Sequence, residues 1–188
     1  MKKYILYAGV NGAGKSTLYQ TTKYIDDMPR VNTDEILREF GNWHNVSDIM
    51  AAGKIAVKRM NQYLSEGLTF NQETTLCGNA VINSIMKAKE LGYTIVLYYV
   101  GLDSAELAKQ RIRDRVSFGG HGIPDEDVER RYKESFKNLA IVIPLCDLVA
   151  LYDNTDQFRR FAIFRNGDVV KMSKNIPRWY YDNFDFHF

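Results

Sequence analysis

The sequence predicts an α/β fold in which a parallel sheet is covered by helices on both faces, and three observations carry that expectation. A glycine-rich loop, Gly9-Val10-Asn11-Gly12-Ala13-Gly14-Lys15-Ser16-Thr17, lies between an apolar run ending at Ala8 and a segment of helical character. Strand-like runs then alternate with helical ones as far as Tyr152, the pattern of βαβ units. The clearest run, Tyr93 to Val100, consists almost wholly of residues that favour strands. A strand buried on both faces has this composition.

The elements follow in order. Lys3 to Ala8 reads as the first strand and Ser16 to Tyr24 as the helix after the loop. Pro29 to Asn32 reads as a second strand, ending at Thr33-Asp34-Glu35 and a helix from Glu35 to Phe40. Asn45 to Asp48 offers caps for a long helix to Glu66, with Ile49, Ala56, Met60 and Leu64 on or near one face and Gly67 closing it. Leu68 to Gln72 is a third strand, with Glu73, Thr74 and Thr75 at its end.

A helix from Ala80 to Leu91, stopped by Gly92, leads into the Tyr93 strand. Asp103 to Val116 is a helix with an Asp-x-x-Glu start; the glycine-rich stretch Phe118 to Pro124 breaks it, and helix resumes over Asp125 to Leu139. Asp147 to Tyr152 is the last core strand. Beyond it, Phe161 to Arg165 and Asp168 to Met172 flank Asn166-Gly167, a strong two-residue hairpin signal. Pro177 to Phe188 is rich in Trp, Tyr and Phe and reads as a helix or arm packed on the domain. The expectation is one domain over 1–188, with a core to about 153 and an embellishment, hairpin and tail, over 154–188.

Composition narrows the function. The 188 residues carry a net charge of +2, which argues against a protein that coats nucleic acid or a membrane surface. The longest apolar stretch, Leu139 to Tyr152, is broken by Pro144 and Asp147 and does not span a membrane. Cys77 and Cys146 show neither C-x-x-C spacing nor a disulfide framework and read as small core residues in a reducing, cytoplasmic setting. Met1-Lys2-Lys3 and the apolar run after it lead straight into the loop, so they read as a strand rather than a leader.

The loop matches Gly-x-x-x-x-Gly-Lys-Ser/Thr, the phosphate-binding loop of P-loop NTPases. Its glycines let successive N–H groups turn inward on phosphate oxygens, and the helix behind presents its positive end. Gly9, Asn11, Gly12, Ala13, Gly14, Lys15, Ser16 and Thr17 are therefore the candidate nucleotide contacts. Lys15 supplies a mobile cation for the β- and γ-phosphates, and the Ser16 hydroxyl suits Mg²⁺, which needs few protein ligands. ATP and Mg²⁺ are the implied cofactors. A three-layer P-loop sandwich with a helical lid and a small C-terminal hairpin is the implied architecture.

In such sheets ligands gather at the carboxyl ends of strands. Asp34 and Glu73 follow two of them. Asp34 suits the base that takes the acceptor proton in phosphoryl transfer; it equally suits a helix cap, and both readings stay open. Glu73 suits substrate or a magnesium-bound water; the plainer reading is a surface acid. Arg111 and Arg115 lie four apart on one helix, placed either over phosphate or on a solvated face with Glu106 and Asp114. Arg113 reads as solvated, Gly119, Gly120, Gly122 and Pro124 as a hinged lid, and His121 as shaping that lid. Trp43 reads as packing, and His44, His121 and His187 are too dispersed for a metal site.

Taken together, the loop, Val31-Asn32-Thr33-Asp34-Glu35-Ile36, Glu73-Thr74-Thr75-Leu76 and Arg115-Val116-x-x-Gly119-Gly120-His121-x-x-Pro124 resemble the zeta-toxin-like branch of P-loop kinases, over most of the chain to about Asp153. The resemblance implies a kinase in which Lys15 and Ser16 bind ATP and Mg²⁺, Asp34 is the base, and Glu73 sits by substrate and metal. It makes Arg115 the phosphate-binding arginine and Arg131 a second candidate. The best-understood relatives phosphorylate a sugar hydroxyl of UDP-N-acetylglucosamine and are held inactive by an antitoxin, so a small-molecule acceptor of that kind and an antitoxin partner are implied. Where those toxins tend to carry Asp-x-Asp, this chain has Asn32-Thr33-Asp34. An ATP-binding switch acting through a partner is the alternative, and a nucleic-acid end kinase is disfavoured by charge.

Overall fold

The computed structural model describes residues 1–22 and 28–184. The expected end of the first helix at Tyr24, and His187, lie outside them. Seven strands form one sheet in the order β2 (Arg30–Asn32), β3 (Phe70–Thr74), β1 (Lys3–Gly9), β4 (Thr94–Gly101), β5 (Leu148–Asp153), β6 (Arg159–Arg165), β7 (Asp168–Met172). The first five of these are mutually parallel, and β6 and β7 continue the sheet antiparallel. Successive strands are laid down on one side of β1 and then on the other, so β1 ends in the crevice where such sheets bind ligands.

The helices are α1 (Lys15–Thr21), α2 (Thr33–Phe40), α3 (Val46–Glu66), α4 (Asn79–Glu90), α5 (Ala105–Ser117), α6 (Asp125–Val142) and α7 (Arg178–Asn183). Strand alternation sorts the core. Tyr4, Leu6 and Ala8 share a face with Ile95, Leu97 and Tyr99, all wholly buried. On that face the Tyr4 hydroxyl reaches Met60 of α3 and Gln72, while Tyr99 meets Phe136 of α6 and Trp179 of α7. The opposite face carries Tyr7, which meets Tyr19 of α1 edge-on and stacks on Tyr98. Layers on both sides of the sheet match the expected sandwich.

The differences have physical reasons. The expected C-terminal hairpin extends the sheet itself: β6 pairs with β5, and Phe161, Ala162 and Phe164 enter the common core. Its turn is as expected, with φ of 52° at Asn166 and 88° at Gly167, the two positive values that a type I′ turn needs. Ile49 is 41% exposed because the first turn of α3 lies off the sheet, and Ala52 heads the buried row Ala52, Ala56, Met60, Leu64 instead. α6 outruns Leu139 because Leu139, Val142 and Ile143 keep helical spacing into the core. The cap of α5 is Ser104, whose Oγ accepts from the Leu107 N–H; Asp103 instead accepts from the Trp179 N–H.

Candidate active site

The loop after β1 is shaped by contact on every side. Gly9 has φ of 142°, and a Cβ there would lie 2.1 Å from the Val100 carbonyl oxygen of β4. Gly12 lies against Ala108 and Arg111 of α5, and the Asn154 amide donates to the Ala13 carbonyl from the end of β5. Lys15 opens α1, is nearly buried, and donates to the Val10 carbonyl at 3.1 Å. Burial pulls its affinity for a proton down, opposed by the Glu73 and Asp34 carboxylates. The ammonium therefore lies among the acids that the sequence singled out. Asn11 Oδ1 is buried with no hydrogen-bond partner among the described residues, a rare condition for a polar atom.

Glu73 is inside β3 rather than beyond it, because its backbone still pairs with Tyr7 of β1 and Asn32 of β2. That register carries its side chain to the start of α1, where Ser16 Oγ donates to Oε1 at 2.8 Å. The plainer reading as a surface acid fails, since the Glu73 side chain is only 10% exposed. Its Oε2 accepts from Arg30 Nη2 at 2.6 Å and Asn32 Nδ2 at 3.3 Å. A hydroxyl and a carboxylate side by side are hard-oxygen donors of the kind magnesium takes along with water and phosphate oxygens. Among the described residues no three His, Cys, Asp or Glu converge as a larger metal cage.

The alternative readings of Asp34 separate cleanly. The cap of α2 is Asn32, whose Oδ1 accepts from the Asp34 and Glu35 N–H groups. The Asp34 carboxylate is left half exposed, with Oδ2 at 3.6 Å from His121 Nε2. Together with Leu37, Arg38, Gly41, Trp43 and His121 it lines a small recess of about 40 Å³.

His121 has the larger part that spacing alone did not reveal. It lies in the stretch between α5 and α6, near the Trp43 ring at 6.4 Å between centroids. Burial lowers its affinity for a proton; Asp34 raises it, and Arg115, Arg38 and Arg131 lower it further. Its carbonyl accepts both Arg115 Nε at 3.0 Å and Nη2 at 2.7 Å. Arg115 is half-buried, and the Asp34 and Glu73 charges act on it. Gly120 makes that pose possible: a Cβ there would lie 2.5 Å from Arg115 Cγ.

The other arginines divide. Arg111 donates to the Thr155 carbonyl and so braces α5 against the loop after β5. Neither Arg111 nor Arg115 pairs with Glu106 or Asp114 among the described residues; Glu106 and Glu129 hold Lys109, and Asp114 accepts from Gln110. Arg113 faces solvent with Asp125, as expected. Arg131 is partly buried, 3.8 Å from Asp127, with its charge felt at His121. Cys146 is a core residue, but Cys77 is only half-buried at the rim, its thiol donating to the Arg131 carbonyl at 3.3 Å. Thr74 ends β3, and its Oγ1 accepts from the Leu76 N–H.

No protein-family model matches the chain. An uncharacterised protein of Haemophilus influenzae is 32% identical over 130 residues, which cover 69% of this chain and 92% of that one. The two chains belong to one family. Among solved structures, the complex of AvrRxo1-ORF1 with AvrRxo1-ORF2 matches with a TM-score of 0.71 at 14% identity, over 91% of this chain and 61% of that one. The same complex with ATP matches at 0.63. The PezAT chromosomal toxin–antitoxin system of Streptococcus pneumoniae matches at 0.62 with 18% identity, over 84% of this chain and 71% of that one. These likenesses show the fold, an α/β fold that this chain shares with the matched chains of both complexes. This chain spans about three fifths of the matched chain in the AvrRxo1 complex.

Proposed function

We propose that the protein is an ATP-dependent kinase that moves the γ-phosphoryl group to a hydroxyl of a small molecule, and in its finer form to a nucleotide sugar such as UDP-N-acetylglucosamine. The observation that carries this reading is convergence: Lys15, the Ser16–Glu73 pair, Asp34 and Arg115 come from four parts of the chain to one mouth. That a structural relative holds ATP supports the choice of nucleotide.

In this reading the backbone from Gly9 to Thr17 and the Lys15 ammonium hold the phosphates. Ser16 and Glu73 hold Mg²⁺, which when bound draws negative charge off the β- and γ-phosphates. Asp34 fixes the acceptor hydroxyl and takes its proton as that oxygen bonds to the γ-phosphorus and the bridge to the β-phosphate breaks. Arg115 faces the charge on the transferred group, and Arg131 backs it from α6. The small recess beside Asp34 takes only the reacting hydroxyl end of the acceptor, and the rest of that molecule lies outside it.

The proposal extends to a companion protein that restrains activity, supported by the paired chains in the AvrRxo1 and PezAT structures. The setting we propose is cytoplasmic, supported by two free cysteines. Among the described residues no helix is long and apolar enough to cross a membrane. The test is Mg²⁺-dependent transfer of labelled γ-phosphate to nucleotide sugars, nucleosides and oligonucleotides. A labelled small molecule is expected. Free phosphate alone, released equally by wild type and Asp34→Asn, overturns the proposal in favour of a nucleotide-driven switch.

A further inference from the structure

Arg30 is the residue around which the Ser16–Glu73 pair is built, and no sequence motif marked it. Its side chain is only 11% exposed. Nε donates to both Glu35 carboxylate oxygens at 3.1 Å, Nη1 to Asn71 Oδ1 at 2.9 Å, and Nη2 to Glu73 Oε2 at 2.6 Å. The flat guanidinium lies 3.6 Å over the Tyr19 ring. Every edge and one face are therefore in use. Tyr19 is one turn along α1 from Ser16, Asn71 precedes Glu73 on β3, and Glu35 neighbours Asp34 on α2.

The arrangement has a direction. Oε2 of Glu73 is taken twice, by Arg30 and Asn32, whereas among the described residues Oε1 meets only Ser16 Oγ. A carboxylate fixed through one oxygen can present the other in one orientation only. We infer that Arg30 is a positioning residue that clamps Glu73 by Oε2 and aims Oε1 beside Ser16, so that the divalent-cation site is formed before nucleotide arrives. The planar fork and the stacking on Tyr19 are properties of arginine that lysine lacks. This inference rests on the kinase reading for the presence of a cation at Ser16 and Glu73.

Charge and clamp predict opposite signs. As a bare positive charge, Arg30 repels a divalent cation nearby, and its removal would tighten binding. As a clamp, its removal frees Glu73 to swing and weakens binding. The experiment titrates Mn²⁺, followed by its electron spin resonance, into protein holding a non-hydrolysable ATP analogue, with wild type, Arg30→Gln and Arg30→Lys. The analogue's own affinity is measured without metal.

We expect both variants to weaken Mn²⁺ binding by about tenfold or more, as loss of an outer partner of a metal ligand does, with metal-free nucleotide affinity unchanged. Because Arg30→Lys keeps the charge and most of the bulk, it decides the matter if Arg30→Gln does not fold. Unchanged or tighter Mn²⁺ binding in a folded variant overturns the inference. Equal loss of nucleotide and metal affinity also overturns it, since a general strut has that effect. If wild type carries nucleotide but takes up no Mn²⁺ at Ser16 and Glu73, the cation assignment fails along with the clamp. A kinase reading that fails by contrast shows normal Mn²⁺ binding and no transfer.

Discussion

Asp34 Oδ2 and His121 Nε2 stand 3.6 Å apart, joining the start of α2 to the stretch between α5 and α6. Since Asn32 caps α2, the Asp34 carboxylate is not needed for the helix. Asp34→Asn should therefore leave thermal stability and ATP affinity close to wild type. Transfer to the acceptor should fall by about 10²- to 10⁴-fold, the usual contribution of a positioned base. Single-turnover transfer alongside nucleotide titration checks this, and a variant that still transfers normally removes Asp34 from the chemistry.

The imidazole of His121 binds its proton less readily in the folded chain than free, because burial and three arginines outweigh the pull of Asp34. Above about pH 6.5 both folded and unfolded forms are neutral there, and its contribution to stability is intact. As pH falls toward the lowered folded value, the unfolded chain takes up a proton that the folded chain resists, and stability is lost. Melting curves from about pH 7.5 to about pH 5 should show His121→Asn losing less stability than wild type over that window. Parallel curves would mean that the ring titrates as it does in the unfolded chain.

Gly120→Ala should act on Arg115. The added Cβ would lie 2.5 Å from Arg115 Cγ and 2.8 Å from its carbonyl oxygen, so the guanidinium must leave its place under His121. Phosphate-facing arginines are worth about 10³- to 10⁵-fold where fully removed, so a displaced one should cost at least about tenfold in kcat. Far-ultraviolet circular dichroism should be unchanged. Arg113→Ala, on the solvated side, should leave kcat near wild type.

Trp179 tests the tail. It is wholly buried, stacked on Phe136 at 5.0 Å, edge-on to Phe161, and its indole N–H donates to Asp153 Oδ1 at 3.1 Å. Trp179→Ala should cost about 3–5 kcal/mol, measured by denaturant unfolding. A loss below about 1 kcal/mol would show that the tail contributes little to the core.

The parts read directly from sequence are those whose chemistry is local. The glycine loop, the Asn166-Gly167 turn and the Tyr93 strand each carry their cause within a few residues, and each formed as expected. Asp34, Glu73 and Arg115 could be singled out as candidates because they lie at or just past the ends of strands or on one helix face. Arg30 was not legible, and of His121 only its place in the glycine-rich stretch was. Arg30 precedes Val31 in a three-residue strand with no pattern of its own, and its partners at Tyr19, Asn71 and Glu73 meet only through sheet order. His121 acts by its carbonyl as much as by its ring, and a carbonyl leaves no mark in residue identity. The cap reading of Asp34 failed, and the expected helix start at Asp103 came late, for one reason: in each case a neighbour, Asn32 or Ser104, had the extended backbone that a cap requires.

The C-terminal helix also has a consequence for synthesis. The Trp179 indole braces the Asp153 carboxylate, which holds Thr155, and next to them Asn154 supports the loop carbonyl at Ala13. In chain order Ala13 of the phosphate loop precedes this brace at Asn154 by 141 residues, so a nascent chain exposes the loop before the residue that supports its Ala13 carbonyl has been made.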